Sequence, residues 1–261
     1  MAEFGGKVAL VTGAGSGIGK ASAVLLAREG AAVGVLSDTQ SEIEETAREI
    51  AEAGGRALPL CADVSDAAAM RAAIDRLASE YGRLDVVFAN AGINGVWAPI
   101  DELEPEDWDR TIAVNQRGTF LTIRYAVPHL KAAGGGAIVV CSSINGTRSF
   151  SNAGTTAYSA TKAAQVAMMR VLALELAPHA IRVNAVCPGW IDTQIDDNTR
   201  PRNLERAEYP VEFPKGEIPL TGGRPGSSFD VAELVAFLAS ERARHITGSP
   251  VWIDAGESIL V

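Results

Sequence analysis

A doubly wound α/β fold, one parallel sheet with helices on both faces, is the architecture predicted by this 261-residue sequence. Three observations carry it. Short valine-rich apolar runs recur along the chain, segments of helical period separate them, and the first run ends in a glycine-rich turn.

The apolar runs fall at 8–11, 32–36, 57–60, 84–89, 137–141, 181–186 and 250–253. Bounded by Gly or Asp, they read as strands buried on both faces. The intervening segments carry stripes. Ile43, Ala47, Ile50 and Ala51 share one helical face, with Glu42, Glu45, Arg48 and Glu49 on the others. Met70, Ala73, Ile74, Leu77 and Tyr81 form the next, with Ser65 or Asp66 as its cap. Pro105 opens a third helix, where its missing N–H costs nothing. Val231, Leu234, Val235 and Leu238 make a late one behind Asp230. Strict alternation of strand and helix implies parallel pairing through crossovers.

No repeat, low-complexity tract or linker divides the chain, so residues 1–261 are expected to form one dinucleotide-binding and catalytic domain. The stretch 194–228 stands apart, rich in Pro, Gly and charge and without period. At that length it reads as a substrate lid inserted into the domain.

Composition excludes some functions. A net charge of −9 argues against a nucleic-acid partner, since phosphate binding needs a basic surface. No basic, apolar leader opens the sequence, and no apolar run reaches membrane-spanning length, so a soluble cytoplasmic protein is expected. Cys61, Cys141 and Cys187 each sit in an apolar stretch and read as buried, reduced thiols. No metal-ligand spacing links them to His129, His179 or His245, and no metal is expected.

The first run ends in Thr12, Gly13, Ala14, Gly15, Ser16, Gly17, Ile18 and Gly19, and a helical pattern follows at once. Glycines let a backbone turn sharply and approach a pyrophosphate, while the helix start offers free N–H groups and a positive dipole end. The pattern is T-G-x-x-x-G-x-G rather than the commoner G-x-G-x-x-G. About 20 residues on, at the end of the second run, stands Asp38. A carboxylate there can hold ribose hydroxyls and would repel a 2′-phosphate, and neither Ala14 nor Ser16 adds positive charge. NAD is therefore the preferred cofactor, with NADP left open. The alternative reading of Asp38 is a helix cap or turn former.

Farther along, Tyr158 and Lys162 stand four apart at the head of an apolar-striped helix, so a phenol and an ammonium share one face. Together with the glycine turn, Asp63-Val64, Asn90-Ala91-Gly92, Asn115, Ser143, Pro188-Gly189 and Thr193, these motifs run in order along essentially the whole chain. The sequence resembles the short-chain dehydrogenase/reductase family in its compact branch of roughly 250 residues.

That resemblance implies a Rossmann-type fold and a catalytic tetrad of Asn115, Ser143, Tyr158 and Lys162. Ser142 is the alternative to Ser143, because the interval to Tyr158 is about two residues longer than the family's. By the same resemblance the cofactor would meet Gly13, Ser16, Gly17, Ile18 and Gly19, with Asp38 and Asp63-Val64 at the adenosine. Asn90, Ala91, Gly92, Pro188 and Gly189 would line it, and Ile191 and Thr193 would hold the carboxamide end. Asp38 falls one residue later than the family's usual acid.

The implied reaction interconverts an alcohol and a carbonyl by hydride transfer. Tyr158 would act as acid/base beside the Lys162 charge, Ser143 would bond the substrate oxygen, and Asn115 would hold a water chain. Ser143, Asn145, Trp97 and Trp190 are candidate substrate contacts, with Phe150 and Phe213 as further apolar wall. Asp192, Asp196 and Asp197 near Arg200, Arg202 and Arg206 point to a small polar substrate such as a sugar or polyol. A homotetramer packed through helices at 107–130 and 158–176 is also implied. Rival readings are an NADPH-dependent 3-oxoacyl (acyl-carrier) reductase, an epimerase or dehydratase that retains NAD, and a non-catalytic NAD-binding regulator. The intact tetrad counts against the last.

Overall fold

The computed structural model describes residues 2–207 and 218–260. The chain begins with β1 (Val8–Thr12), α1 (Gly17–Arg28), β2 (Ala32–Ser37), α2 (Gln40–Glu52), β3 (Arg56–Cys61) and α3 (Ala67–Tyr81). It continues with β4 (Val86–Ala89), short β5 (Gly95–Trp97), α4 (Pro105–Thr111), α5 (Gly118–Ala132), β6 (Gly136–Cys141) and α6 (Thr156–Leu176). Then come β7 (Ile181–Pro188), the short β8 (Ile191–Asp192), β9 (Thr199–Pro201) and β10 (Gly226–Ser227), α7 (Ser228–Ala239) and β11 (Pro250–Ile253).

Seven strands form one sheet in the order β11-β7-β6-β4-β1-β2-β3, and every pairing is parallel. The order reverses between β1 and β4, which opens a crevice at their carboxyl ends. Alternate strand residues feed two cores. Val8, Leu10, Val87 and Ile138 pack against Ile74, Ile123 and Val166 of α3, α5 and α6. Ala9, Val11, Phe88 and Val139 pack against Leu25, Ile43 and Val231 of α1, α2 and α7.

Burial on both faces holds for the central strands and fails at the edges. In β3 only Leu60 is fully buried, and all of β11 is half-buried. Position in the sheet, which a local apolar run does not encode, makes the difference. It also corrects the reading of Cys61, which ends the edge strand and is exposed, while Cys141 and Cys187 are buried. On α2 the inward stripe is Ile43, Thr46 and Ile50, and Ala51 faces solvent.

Helix starts follow their chemistry. Asp66, not Ser65, caps α3, accepting from the N–H groups of Ala68 (2.8 Å) and Ala69 (3.1 Å). At α7, Ser227 and Asp230 form a reciprocal capping box. Under the sheet, the buried Asp85 accepts from the Val8 N–H at 2.9 Å and pairs with Arg83 and Lys7, tying β1 to β4. Between α4 and α5 the turn Ile112–Arg117 is π-helical. Sequence period gives no sign of this, because a turn of 6 residues is too short to set a period of its own.

The segment after β7 is pinned at its root and at its middle. β8 pairs with β10, and β9 pairs with β5. Arg202 donates to the Glu102 carbonyl (2.8 Å) and to Asp107 (2.9 Å), and Arg206 pairs with Glu102. These arginines hold the segment against α4 and the turn before it, so they do not support the polar-substrate reading built on their nearness to Asp192 and Asp197.

Candidate active site

The crevice is a cleft of about 710 Å³ above the carboxyl ends of the sheet. The glycine turn forms its floor. Gly13 holds φ at +63°, and a Cβ there would stand 3.0 Å from both Asn90 Nδ2 and Ala91 Cα. Gly19 lies beneath the Gly13 carbonyl, behind the cleft wall, where a Cβ would strike that oxygen. Thr12 Oγ1 accepts from the N–H groups of Asn90 (3.0 Å) and Ala91 (3.1 Å), and Asn90 Nδ2 donates to the Thr12 carbonyl at 3.0 Å. Asn90 therefore braces the turn as well as lining the cleft.

Ser16 precedes α1 without a side-chain cap, so the first N–H groups of this 12-residue helix face the cleft unclaimed by a hydroxyl. With the glycine floor, this suits a pyrophosphate. Gly17, Ile18, Val64, Gly92, Pro188, Gly189, Ile191 and Thr193 also line the cleft. The chain thus fits a dinucleotide along its whole length, from Asp38 at one end to Thr193 at the other.

Asp38 is exposed on the cleft wall and does not cap α2. The residue before that helix is Thr39, whose side chain makes no cap bond, and Thr39 Oγ1 lies 3.4 Å from Asp38 Oδ1. Asp63 accepts from Ser65 N–H (2.8 Å) and Oγ (2.7 Å) and meets Arg110 at 3.4 Å. Burial alone would raise its pKa. The Ser65 bonds and the Arg110 charge outweigh it and hold the carboxyl below its ordinary value.

At the other end, Tyr158 and Lys162 project from the first turns of α6 and are both buried. Lys162 Nζ lies 5.4 Å from the Tyr158 ring centre and donates to the Cys141 carbonyl at 2.9 Å. The two serines divide. Ser142 Oγ donates to the Lys162 carbonyl (2.8 Å), while Ser143 Oγ accepts only the Asn145 N–H (3.1 Å) and keeps its proton for another partner.

Asn115 is fully buried on the π turn, behind the cleft. Its Oδ1 accepts from Ile93 N–H (2.8 Å), and Nδ2 donates to the Ile93 carbonyl (2.9 Å) and to Thr161 (3.2 Å). Gln165 Nε2 and Thr119 Oγ1 donate to its carbonyl. Its polar groups bind protein, and it fixes the loop after β4 that carries Ile93.

Around Ser143 and Tyr158 the wall holds Asn145, Trp97 and Trp190. Asn145 Oδ1 accepts from Asn152 Nδ2 at 2.8 Å. Trp97 Nε1 donates to the Asn94 carbonyl, and Trp190 is 56% exposed. Phe150 does not line the cleft, because the loop after Ser143 folds back through the Asn145–Ser149 bridge and turns it outward to 67% exposure. Phe213 and the Asp196 side chain lie outside the described residues.

Sequence reasoning missed several lining residues, among them Glu42, Asn94, Arg110, Asn152 and Glu257. Glu257 reaches back from the end of the chain to accept the Trp190 N–H at 2.7 Å. Burial pushes its pKa up and the Asp254 charge adds to this, against the Trp190 bond. No local signal marks these side chains.

Comparison with known proteins places the chain among dehydrogenases and reductases. The family model described as enoyl-(acyl carrier protein) reductase matches residues 13–258. A cis-4-hydroxycyclohexanecarboxylate dehydrogenase of Sinomonas cyclohexanicum is 42% identical over 253 residues, 97% of each chain. A crystal structure of a 3-ketoacyl-ACP reductase from Sinorhizobium meliloti 1021 is 63% identical. It superposes with a TM-score of 0.94 over 97% of this chain and 100% of its own. Carveol dehydrogenase from Mycobacterium avium, in complex with NAD, is 31% identical with a TM-score of 0.89 over the full length of both.

Proposed function

Because the chain belongs to the short-chain dehydrogenase/reductase family, we propose that it oxidises a secondary alcohol on a small ring, or reduces the corresponding ketone, with NAD. It is an oxidoreductase acting on CH–OH groups. The observation that carries the mechanism is the buried Tyr158–Lys162 pair beside the free Ser143 hydroxyl, at the far end of the glycine-floored cleft.

A bound nicotinamide supplies the hydride acceptor, or the donor in reduction. The protein's own residues handle the proton. Lys162, held on the Cys141 carbonyl, places a positive charge near the Tyr158 ring. The phenolate takes the hydroxyl proton as the carbinol carbon loses hydride, and in reduction the phenol returns it to the carbonyl oxygen. Ser143 donates to that oxygen and stabilises its developing negative charge. Asn115 acts as a positioning residue through Ile93.

Asp38 supports NAD over NADP, and the acyl-carrier alternative would call for a basic docking surface. Two of the cations in the lid region, Arg202 and Arg206, are instead paired with acids. The 63% identical ketoacyl reductase keeps that second reading in play. The segment 194–228 is read as a lid on the same single domain; its described part, 194–207, is pinned by β9 and Arg202, and 208–217 lie outside the described residues. A homotetramer is supported by an exposed stripe of Ala163, Ala167, Val171 and Leu174 on α6, with Phe120 exposed on α5.

The deciding experiment measures NADH formation with cyclohexanol-type alcohols beside NADPH oxidation with a 3-oxoacyl thioester. Turnover of the ring alcohol, abolished in Tyr158→Phe without loss of NADH binding, supports the proposal. Thioester reduction alone supports the acyl-carrier reading. Substantial activity in Tyr158→Phe would sink the assigned mechanism.

A further inference from the structure

We infer that Glu42 is a second cofactor-selecting carboxylate, acting beside Asp38 to reject a 2′-phosphate; this rests on the dinucleotide reading of the cleft.

Glu42 lies in the first turn of α2, four residues beyond Asp38, and both side chains line the same end of the cleft. Its carboxylate is laid across the glycine turn. A Cβ placed on Gly15 would stand 2.8 Å from Glu42 Cβ and closer still to its Oε2, so the carboxylate rests on the one face of the turn that glycine leaves bare. Gly15 occupies a free position of the T-G-x-x-x-G-x-G pattern, and contact with Glu42 gives a physical reason for glycine there.

The surrounding charges leave Glu42 uncompensated. Along the same helix, Glu45 and Glu49 are taken by Lys20, and Glu44 accepts from Gln40. Glu42 has no cationic partner among the described residues. Arg110 and Lys162 are the cations that line the cleft. Arg110 is committed to Asp63, and Lys162 stands at the Tyr158 end. The adenosine end therefore holds Asp38, Asp63 and Glu42 against one guanidinium. A group carrying nearly two negative charges meets net repulsion there, whereas ribose hydroxyls find carboxylate acceptors.

With two carboxylates sharing the task, removing Asp38 alone leaves part of the selectivity intact. The test is a fluorescence titration of the full chain with NADH and with NADPH. The proteins are wild type, Glu42→Gln, Asp38→Asn and the double variant. Gln keeps the length of Glu42 and removes its charge on an exposed helix surface, so folding is spared. Glu42→Gln is expected to lower the ratio of the NADPH to the NADH dissociation constant by about five- to tenfold at low salt. The double variant should lower it beyond Asp38→Asn by a similar factor, and the Glu42 effect should shrink as salt rises. An unchanged ratio, or equal weakening of both cofactors, would overturn the inference and make Glu42 a prop for the turn. Failure of wild type to bind either dinucleotide would instead overturn the cofactor reading itself, and this inference with it.

Discussion

The Ser142 hydroxyl donates to the main-chain carbonyl of Lys162 across 2.8 Å, joining the end of β6 to the helix that carries the Tyr–Lys pair. Its neighbour Ser143 is left to face the cleft. Two adjacent serines thus hold different posts. Ser143→Ala should cut kcat/KM by at least about a hundredfold with little change in Tm. Ser142→Ala should lower Tm by about 2–4 °C, the cost of one buried hydrogen bond, with a far smaller loss of activity. Thermal melts beside steady-state rates check both, and the reverse pattern would exchange the roles.

Asp85 offers a prediction in pH. Burial would raise its pKa, yet the Arg83 bond, the Val8 N–H and the Lys7 charge together hold it below the ordinary value. A carboxyl depressed in the folded state contributes stability that is present above its unfolded value, near about 3.9, and lost as pH falls through the folded one. Asp85→Asn should therefore destabilise by about 1–3 kcal/mol at neutral pH. The gap from wild type should close below about pH 4 in urea titrations. A gap independent of pH would assign the effect to packing.

The lid's attachment is tested at Arg202, which holds Glu102 and Asp107 through its guanidinium. Arg202→Ala should expose the 194–207 stretch to limited proteolysis and raise substrate KM several-fold while leaving NADH affinity nearly unchanged. An unaltered KM would detach this segment from substrate binding.

Assembly is tested on the outer face of α6, where Val171 is 65% and Leu174 79% exposed. Side chains of that size are costly to leave in water over a contiguous stripe. Leu174→Arg with Val171→Asp should reduce the mass measured by light scattering from that of a tetramer to a smaller species. A wild-type monomer would remove the assembly from the account.

What the sequence made legible follows from distance along the chain. The glycine turn and the Tyr158–Lys162 pair are each local, so turn and helix geometry marked them one at a time, and the family resemblance joined them in one cleft. The central strands were legible because burial on both faces writes a continuous apolar run. Glu42, Arg110 and Glu257 reach the cleft by tertiary approach, and nothing in their neighbourhoods distinguishes them from other surface charges. Arg202 and Arg206 misled for the same reason: their partners, Glu102 and Asp107, lie about a hundred residues away. The π turn that buries Asn115 hid inside a helical period.

The exposed edge cysteine makes the protein addressable by thiol chemistry. Cys187 is pushed up to about 11 by burial, reinforced by Cys141, and burial raises Cys141 as well, so both are shielded and poor in thiolate near neutrality. Cys61 alone is accessible, and its sulfur sits 3.6 Å from the Asp38 carbonyl, at the rim of the end proposed to hold adenosine. A single environment-sensitive dye attached there would sit beside the arriving nucleotide, turning an accident of strand position into a built-in optical reporter.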